Sequence, residues 1–335
     1  MATAWLSTLR AQPAALAIVR RAVSSGRVHH AYLFEGADGV GKELAAFGFA
    51  QALVCERRAE GSADACGECR ACARAVPQGG ERAPRHPDVV VLERGLYEPA
   101  TIGRRSPETQ DLSIDQIRTL VLARAAFPPY EGRAKIFIVR RAEELSTAAA
   151  NALLKTLEEP GAHTHFVLLS SAADSLLPTI RSRTLRVRFG VLPDELVATL
   201  LVERGSERGQ AVAVARLAGG SMATAIVLDD PEASAIRQRF VSRAIASLES
   251  GDAGAAFDLA EESKKLPRDA LVVQLHALAA SLGDEGRGAV ESAADGRALR
   301  ASARYALAMQ AVVQVESNAS AQLAVEAMLL RMRDA

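Results

Sequence analysis

Residues 31–44 read AYLFEGADGVGKEL: a short apolar run, a Gly-rich loop and the opening of a helical pattern. No other feature constrains the fold as much. The pattern G-x-x-x-x-G-K carries a phosphate-binding mechanism when a strand precedes it and a helix follows. The backbone N–H groups of such a loop attract phosphate at the helix N-terminus, and Lys42 would reach the β and γ phosphates. KELAAFGFAQALV then continues with helical periodicity. In a working loop the next position holds Mg²⁺ through a hydroxyl, and here it is Glu43. A carboxylate there faces the triphosphate and repels it, although it suits an empty helix N-terminus.

Three further apolar runs follow, in PDVVVLE, AKIFIVRR and THFVLLSS. Between them Ser113, with Gln116 three residues on, opens IDQIRTLVLARA, and Ser146 caps TAAANALLKTLEE ahead of Pro160. Strands alternating with helices predict an α/β fold, with a mostly parallel sheet covered by helices on both faces. Residues 95–112 read as a loop. From about residue 190 no strand pattern is evident, and Ala/Leu-rich helical segments run to the end, broken at LAGGSM, LDDPEA, ESGDAG and SLGDEGRG.

A hydrolysing P-loop enzyme ends its third strand with acids that organise Mg²⁺ and the attacking water. Here KIFIV ends in Arg140 and Arg141, with the nearest acids at Glu143 and Glu144. Two cations cannot hold Mg²⁺ or act as a base. As solvated strand-end residues or otherwise, they leave the metal site missing.

A length of 335 residues predicts two or three domains. Lys plus Arg and Asp plus Glu balance at 40 each, which argues against a chain that grips nucleic acid alone. No apolar run approaches the ~20 residues of a membrane helix, and the N-terminal segment reads as an amphipathic helix rather than a leader. A cytoplasmic protein is the simplest expectation.

All four cysteines fall between positions 55 and 72, which points to a local metal site. Cys66, Cys69 and Cys72 stand at C-x₂-C-x₂-C spacing with Cys55 upstream. Four thiolates suit tetrahedral Zn²⁺. An iron–sulfur cluster uses a similar triplet but takes its fourth cysteine downstream, and unmetallated thiols are the third possibility. His86 is a ligand in principle, though four cysteines fill the shell.

HHAYLFEGADGVGK, the cysteine cluster, ANALLKTLEEP and LLPTIRSRT follow one another at spacings that resemble the bacterial DNA polymerase III clamp-loader family, over about residues 5–225. The resemblance implies an AAA+ P-loop domain at 1–188 with a zinc module at 55–72, a small helical lid at 189–230, and a helical collar at 231–335 that joins five subunits into a ring. Active members carry Ser/Thr after the P-loop lysine, acids at the positions of Arg140 and Arg141, and a sensor arginine where this chain has Ala223. The departures imply the family's subunit without ATPase activity. Gly36, Gly41 and Lys42 are then a vestigial phosphate loop, with ATP not bound or not hydrolysed and structural Zn²⁺ on Cys55, Cys66, Cys69 and Cys72.

The same resemblance makes Arg183, in Ser182-Arg183-Thr184, the family's arginine finger, with Thr184 in place of a cysteine. It would reach into the ATP site of a neighbouring gamma/tau subunit, and Arg181 and Arg186 would line the same surface. Partners implied are gamma/tau and delta subunits in a hetero-pentamer, with the sliding clamp and primed DNA met through the complex. His29 and His30 would lie beside the nucleotide's base with a structural role only. Glu158 and Glu159 end a helix, where the dipole disfavours acids, so their placement hints at a contact.

Two other functions compete. A divergent gamma/tau-like ATPase would recruit Mg²⁺ through Glu43 or Glu143. An autonomous DNA-binding or regulatory protein on the same scaffold is disfavoured by the zero net charge.

Overall fold

The computed structural model describes residues 3–104, 111–250, 253–316 and 319–334. They form two compact units, Met1–Pro193 with Gly220–Ala223, and Asp194–Gly219 with Thr224–Ala335.

The first unit is built on five parallel strands, β1 Ala31–Glu35, β2 Val89–Leu92, β3 Lys135–Val139, β4 Thr164–Ser170 and β5 Leu185–Arg188. Their order in the sheet is β2-β3-β4-β1-β5. Successive side chains of a strand point to opposite faces, so each central strand feeds two cores. Tyr32, Phe34, Ile136, Ile138, Val167 and Leu169 pack on one face with the helices Pro13–Ser25 and Lys42–Val54. Leu33, Phe137, Val139, Phe166 and Leu168 pack on the other with the helix Thr147–Glu158. Strands buried on both faces read as continuous apolar runs, which is why β1 to β4 stand out in the sequence.

β5 does not stand out. Only Val187 of Leu185-Arg186-Val187-Arg188 is buried, because the strand lies at the sheet edge and pairs with β1 alone. Two outward arginines hide a strand that the sequence pattern missed. A second difference lies in IDQIRTLVLARA. Ser113 caps it as anticipated, its Oγ accepting from the Gln116 N–H at 3.4 Å. Residues Ile117–Leu122 nevertheless wind as a π-helix, with the Ala123 N–H reaching back five residues to the Arg118 carbonyl. Ser146 caps the next helix through the Ala149 N–H at 3.2 Å. Within 95–112, Pro99–Ile102 form a 3₁₀ turn, and 105–110 lie outside the described residues.

Among its described residues the second unit has helices as its regular structure, including Asp194–Glu203, Arg208–Leu217, Pro231–Ser250, Ala253–Ser263, Arg268–Glu291, Asp295–Glu316 and Ala321–Asp334. Leu271, Leu275, Leu278 and Leu282 recur at three- and four-residue spacing, so they share one face of their helix. That face packs with Val312, Val315, Val325, Met328 and Leu329 into a single core. Among the described residues no helix is long and apolar enough to cross a membrane.

Candidate functional site

The glycine loop leaves the C-terminal end of β1 and enters the helix Lys42–Val54 through Gly41, whose φ of 104° only glycine adopts readily. Its lysine is turned inward. Lys42 Nζ donates to the carbonyls of Gly36 at 2.5 Å and Ala37 at 2.7 Å, and approaches Asp38 Oδ1 at 3.4 Å. Burial pushes this ammonium below its usual range, and Asp38 partly offsets the shift. The lysine that would meet a phosphate is thus satisfied by its own loop. The turn is also crowded from outside. Gly39 has a φ of 73°, and a Cβ on it would strike Ala223, whose neighbour Met222 donates its N–H to the Gly39 carbonyl at 3.2 Å. Ala223 therefore packs directly against the loop. Gln12 braces it from the other side, donating to the carbonyls of Val40 at 3.1 Å and Gly190 at 2.7 Å.

Glu43 is paired. Arg140, at the end of β3, donates to its carboxylate, to Glu93 Oε2 at 2.7 Å and to the Arg82 carbonyl at 2.8 Å. The guanidinium also lies over the Phe47 ring, 5.5 Å from its centroid. Its side chain is 11% exposed, against 16% for Glu93 and 50% for Glu43, so Glu93 is the partner that shares its burial. Arg82 pairs with Glu93 from the surface. Arg140 thus ties the first turn of the P-loop helix to the ends of β2 and β3. Arg141 turns away with a φ of 48° and pairs with Glu144 at 2.7 Å, which Arg94 also approaches at 3.3 Å. Glu143 accepts from the Ser171 hydroxyl at 2.8 Å and the Ser171 N–H at 3.3 Å. Burial pushes its carboxyl up, yet hydrogen bonds from its own N–H, Ser171 and Ser170 more than offset this and lower it, so it is a carboxylate facing Lys42.

The finger candidate sits at the opposite end of the sheet, in the turn between the short helix Pro178–Arg181 and β5. Arg183 donates to the Thr179 carbonyl at 3.0 Å and forms an ion pair with Glu158, the last residue of the helix Thr147–Glu158. Arg181 pairs with Asp174 at 2.6 Å. Arg186 and Arg188 converge on Glu35, at 2.7 and 2.8 Å. His29 and His30 precede β1, a five-residue strand of ~16 Å that separates them from the P-loop at its other end. That corrects the expectation of a place beside a nucleotide's base. His29 Nδ1 contacts the Ala31 carbonyl at 2.7 Å, and its ring stacks on His30 at 4.2 Å between centroids. His30 lies against the backbone of Arg183.

The sulfur atoms of Cys55, Cys66, Cys69 and Cys72 all lie within 4.8 Å of one another. Metal–sulfur bonds of about 2.3 Å place the corners of a tetrahedron about 3.8 Å apart, and Cys66 Sγ and Cys72 Sγ are 3.8 Å apart. The donor set fits a metal ion. Backbone N–H groups turn onto the sulfurs, from Cys66 to Cys55 and from Cys69 to Cys66 at 3.3 Å, and from Cys72 to Cys69 at 3.4 Å. Burial pushes the Cys55 and Cys72 thiols up. It also acts on Cys66, but the Glu68 and Cys69 N–H groups outweigh it and lower that thiol to about 7. Gln51, on the P-loop helix, donates to the Cys72 carbonyl at 3.2 Å and ties the module to the core. His86 stays apart: it is buried, and its Nδ1 accepts from the Asp88 N–H at 3.1 Å.

Sequence reasoning singled out Arg183, the glycine loop and the thiols as candidates. It missed Glu93, which shares the burial of Arg140, and Asp88, whose carboxylate accepts from the N–H groups of Tyr130, Glu131 and Gly132 at 2.6–2.8 Å. Both are acids beside strands predicted to be buried, the one available signal that they have partners.

Five parallel strands in this order, with a glycine loop between β1 and its helix, define a P-loop domain of the AAA+ type. A solved DNA polymerase III, gamma subunit-related protein from Thermotoga maritima shares the fold, at a TM-score of 0.50 and 17% identity, covering 95% of this chain and 98% of that one. The DNA polymerase III subunit gamma/tau of Mycobacterium bovis is 35% identical over 207 residues, 60% of this chain and 32% of that protein. The DNA polymerase III subunit delta' of Bacillus subtilis is 31% identical over 204 residues, 61% of this chain and 55% of that protein. The match therefore spans about a third to a half of these relatives. Residues 11–193 match the family described as DNA polymerase III, delta subunit, and the chain belongs to that clamp-loader family as a delta-prime-type member related to gamma/tau.

Proposed function

We propose that the chain is a non-catalytic, delta-prime-type subunit of the DNA polymerase III clamp loader. It acts as a stator in the ring, alongside gamma/tau and delta subunits, and lends Arg183 to the ATP site of a neighbouring gamma/tau subunit. The assembly then loads the sliding clamp on primed DNA in the cytoplasm. The observation that carries the reading is the closed P-loop: Lys42 bonded to the Gly36 and Ala37 carbonyls, and Arg140 bridging Glu43 and Glu93. A triphosphate would have to displace the first set of contacts, and Mg²⁺ would meet a guanidinium. Zn²⁺ is the metal we assign to the four thiols, where it would hold the module as a closed structural site.

A guanidinium placed on a γ-phosphate stabilises charge as it develops, and such a finger is worth ~10³–10⁵ in rate in GTPases. Arg183 can serve in trans because it stands on a surface turn, away from its own P-loop. Two measurements test the reading. The isolated chain should show no Mg²⁺-dependent ATP binding at equilibrium. A complex reconstituted with gamma/tau, delta and Arg183→Ala should lose most of its clamp-stimulated ATP turnover. Robust ATP hydrolysis by the chain alone would overturn the non-catalytic assignment, and undiminished turnover with the variant would remove the finger.

A further inference from the structure

Arg183 is engaged in the isolated chain. One guanidinium nitrogen donates to the Thr179 carbonyl at 3.0 Å and lies 3.5 Å from Ser182 Oγ, while the other pairs with Glu158. The Arg183 side chain is 33% exposed and that of Glu158 48%, so the pair is reachable from solvent. The backbone beneath is fixed, with the Arg183 N–H on the Ile180 carbonyl at 3.1 Å and the His30 ring alongside. Only the side chain has freedom to change partner.

Glu158 is an acid at the last residue of its helix, where the macrodipole opposes a negative charge. Lys155 stands in the same last turn, and Arg183, from across the fold, is the cation that pairs with Glu158. The neighbouring arginines have other carboxylates: Arg181 has Asp174, and Arg186 and Arg188 have Glu35. We propose that Glu158 is the resting counter-ion of Arg183, a positioning residue that parks the guanidinium against the helix end until a neighbour's triphosphate competes for it. The proposal rests on the finger reading above. One half-exposed carboxylate is a weak competitor, since solvent-accessible ion pairs shift equilibria by only about two- to fivefold. A triphosphate in a water-poor site carries more charge and wins. When it leaves, the uncompensated acid at the helix end draws the guanidinium back.

Modification of arginines by phenylglyoxal, read residue by residue by mass spectrometry, tests this directly. In the isolated chain Glu158→Gln should speed modification of Arg183 by about two- to fivefold, leave Arg181 and Arg186 unchanged, and be reversed by the conservative Glu158→Asp. An unchanged Arg183 rate in Glu158→Gln would overturn the proposal. In the assembled ring, a non-hydrolysable ATP analogue should protect Arg183, and Glu158→Gln should lower the half-protecting concentration by a similar factor. Protection that is present but unshifted refutes the counter-ion. Protection that is absent refutes the finger itself.

Discussion

Arg140 and Glu43 stand 97 positions apart in the chain and meet as an ion pair at the mouth of the P-loop. Each residue alone looks like a defect in an ATPase. Together they form an internal ion pair, a cation held against a carboxylate, with Glu93 as the second acid.

The energy of this bridge should lie on the Glu93 side. Arg140→Ala leaves Glu93 with only the surface contact from Arg82, and removing one member of a largely buried pair costs about 3 kcal/mol. A melting temperature lower by roughly 6–12 °C follows for a unit of this size. Glu43→Gln removes a half-exposed partner and should cost less than about 1 kcal/mol. Thermal denaturation of both variants decides the matter, and equal losses would contradict the assignment.

The cysteine module should carry about one zinc per chain, measured by mass spectrometry on purified protein, with no visible iron–sulfur absorbance. Metal removal or Cys66→Ser should then destabilise by about 3 kcal/mol, the effect of a ligand held at some hundredfold above its dissociation constant. Hydrogen exchange should rise in 55–76 and in the helix Lys42–Val54, which Gln51 links to Cys72. A metal-free protein with unaltered melting would rule the site out.

Gly39 and Gly26 allow a paired test. Both hold left-handed backbone, with φ of 73° and 68°, but a Cβ on Gly26 meets open space while one on Gly39 strikes Ala223. Gly26→Ala should cost only the conformational penalty, about 1 kcal/mol. Gly39→Ala should cost that plus the displacement of Ala223 and Met222, about 3 kcal/mol in all. Equal penalties from chemical denaturation would mean that the loop is not packed as described.

Asp88 should hold the loop at 126–133 in shape. It is fully buried and accepts three backbone N–H groups, while Lys135 Nζ donates to the carbonyls of Arg124, Phe127 and Pro128. Asp88→Asn removes the charge and turns an amide donor onto N–H donors, a loss of about 2 kcal/mol. Faster hydrogen exchange at Tyr130–Gly132 is the signature, and unchanged exchange would show that the anchor is dispensable.

Much of this architecture is legible in the sequence. β1 to β4 announce themselves because parallel strands buried on both faces are apolar throughout, and Ser113 and Ser146 mark helix starts by their chemistry. The thiols are close in sequence as well as in space. What escapes is whatever depends on how the folded backbone and residues distant along the chain are placed. Glu43 reads as a lone repulsive charge because nothing local reveals Arg140. Lys42 reads as a phosphate ligand because residue type cannot show that its loop's carbonyls face inward. Edge strand β5 alternates apolar residues with arginines, and no local pattern names Arg183, 25 positions on, as the partner of Glu158.

The two faces of the sheet divide the molecule's vulnerabilities. Cys55, Cys69 and Cys72 share their core with the P-loop helix, whereas Leu153, Leu157 and Ile180, which underlie Glu158 and Arg183, belong to the other. Oxidative damage to the thiols would loosen one wall and leave the opposite one standing. A unit so partitioned would keep the Glu158–Arg183 pair in place while the wall around its thiols gives way.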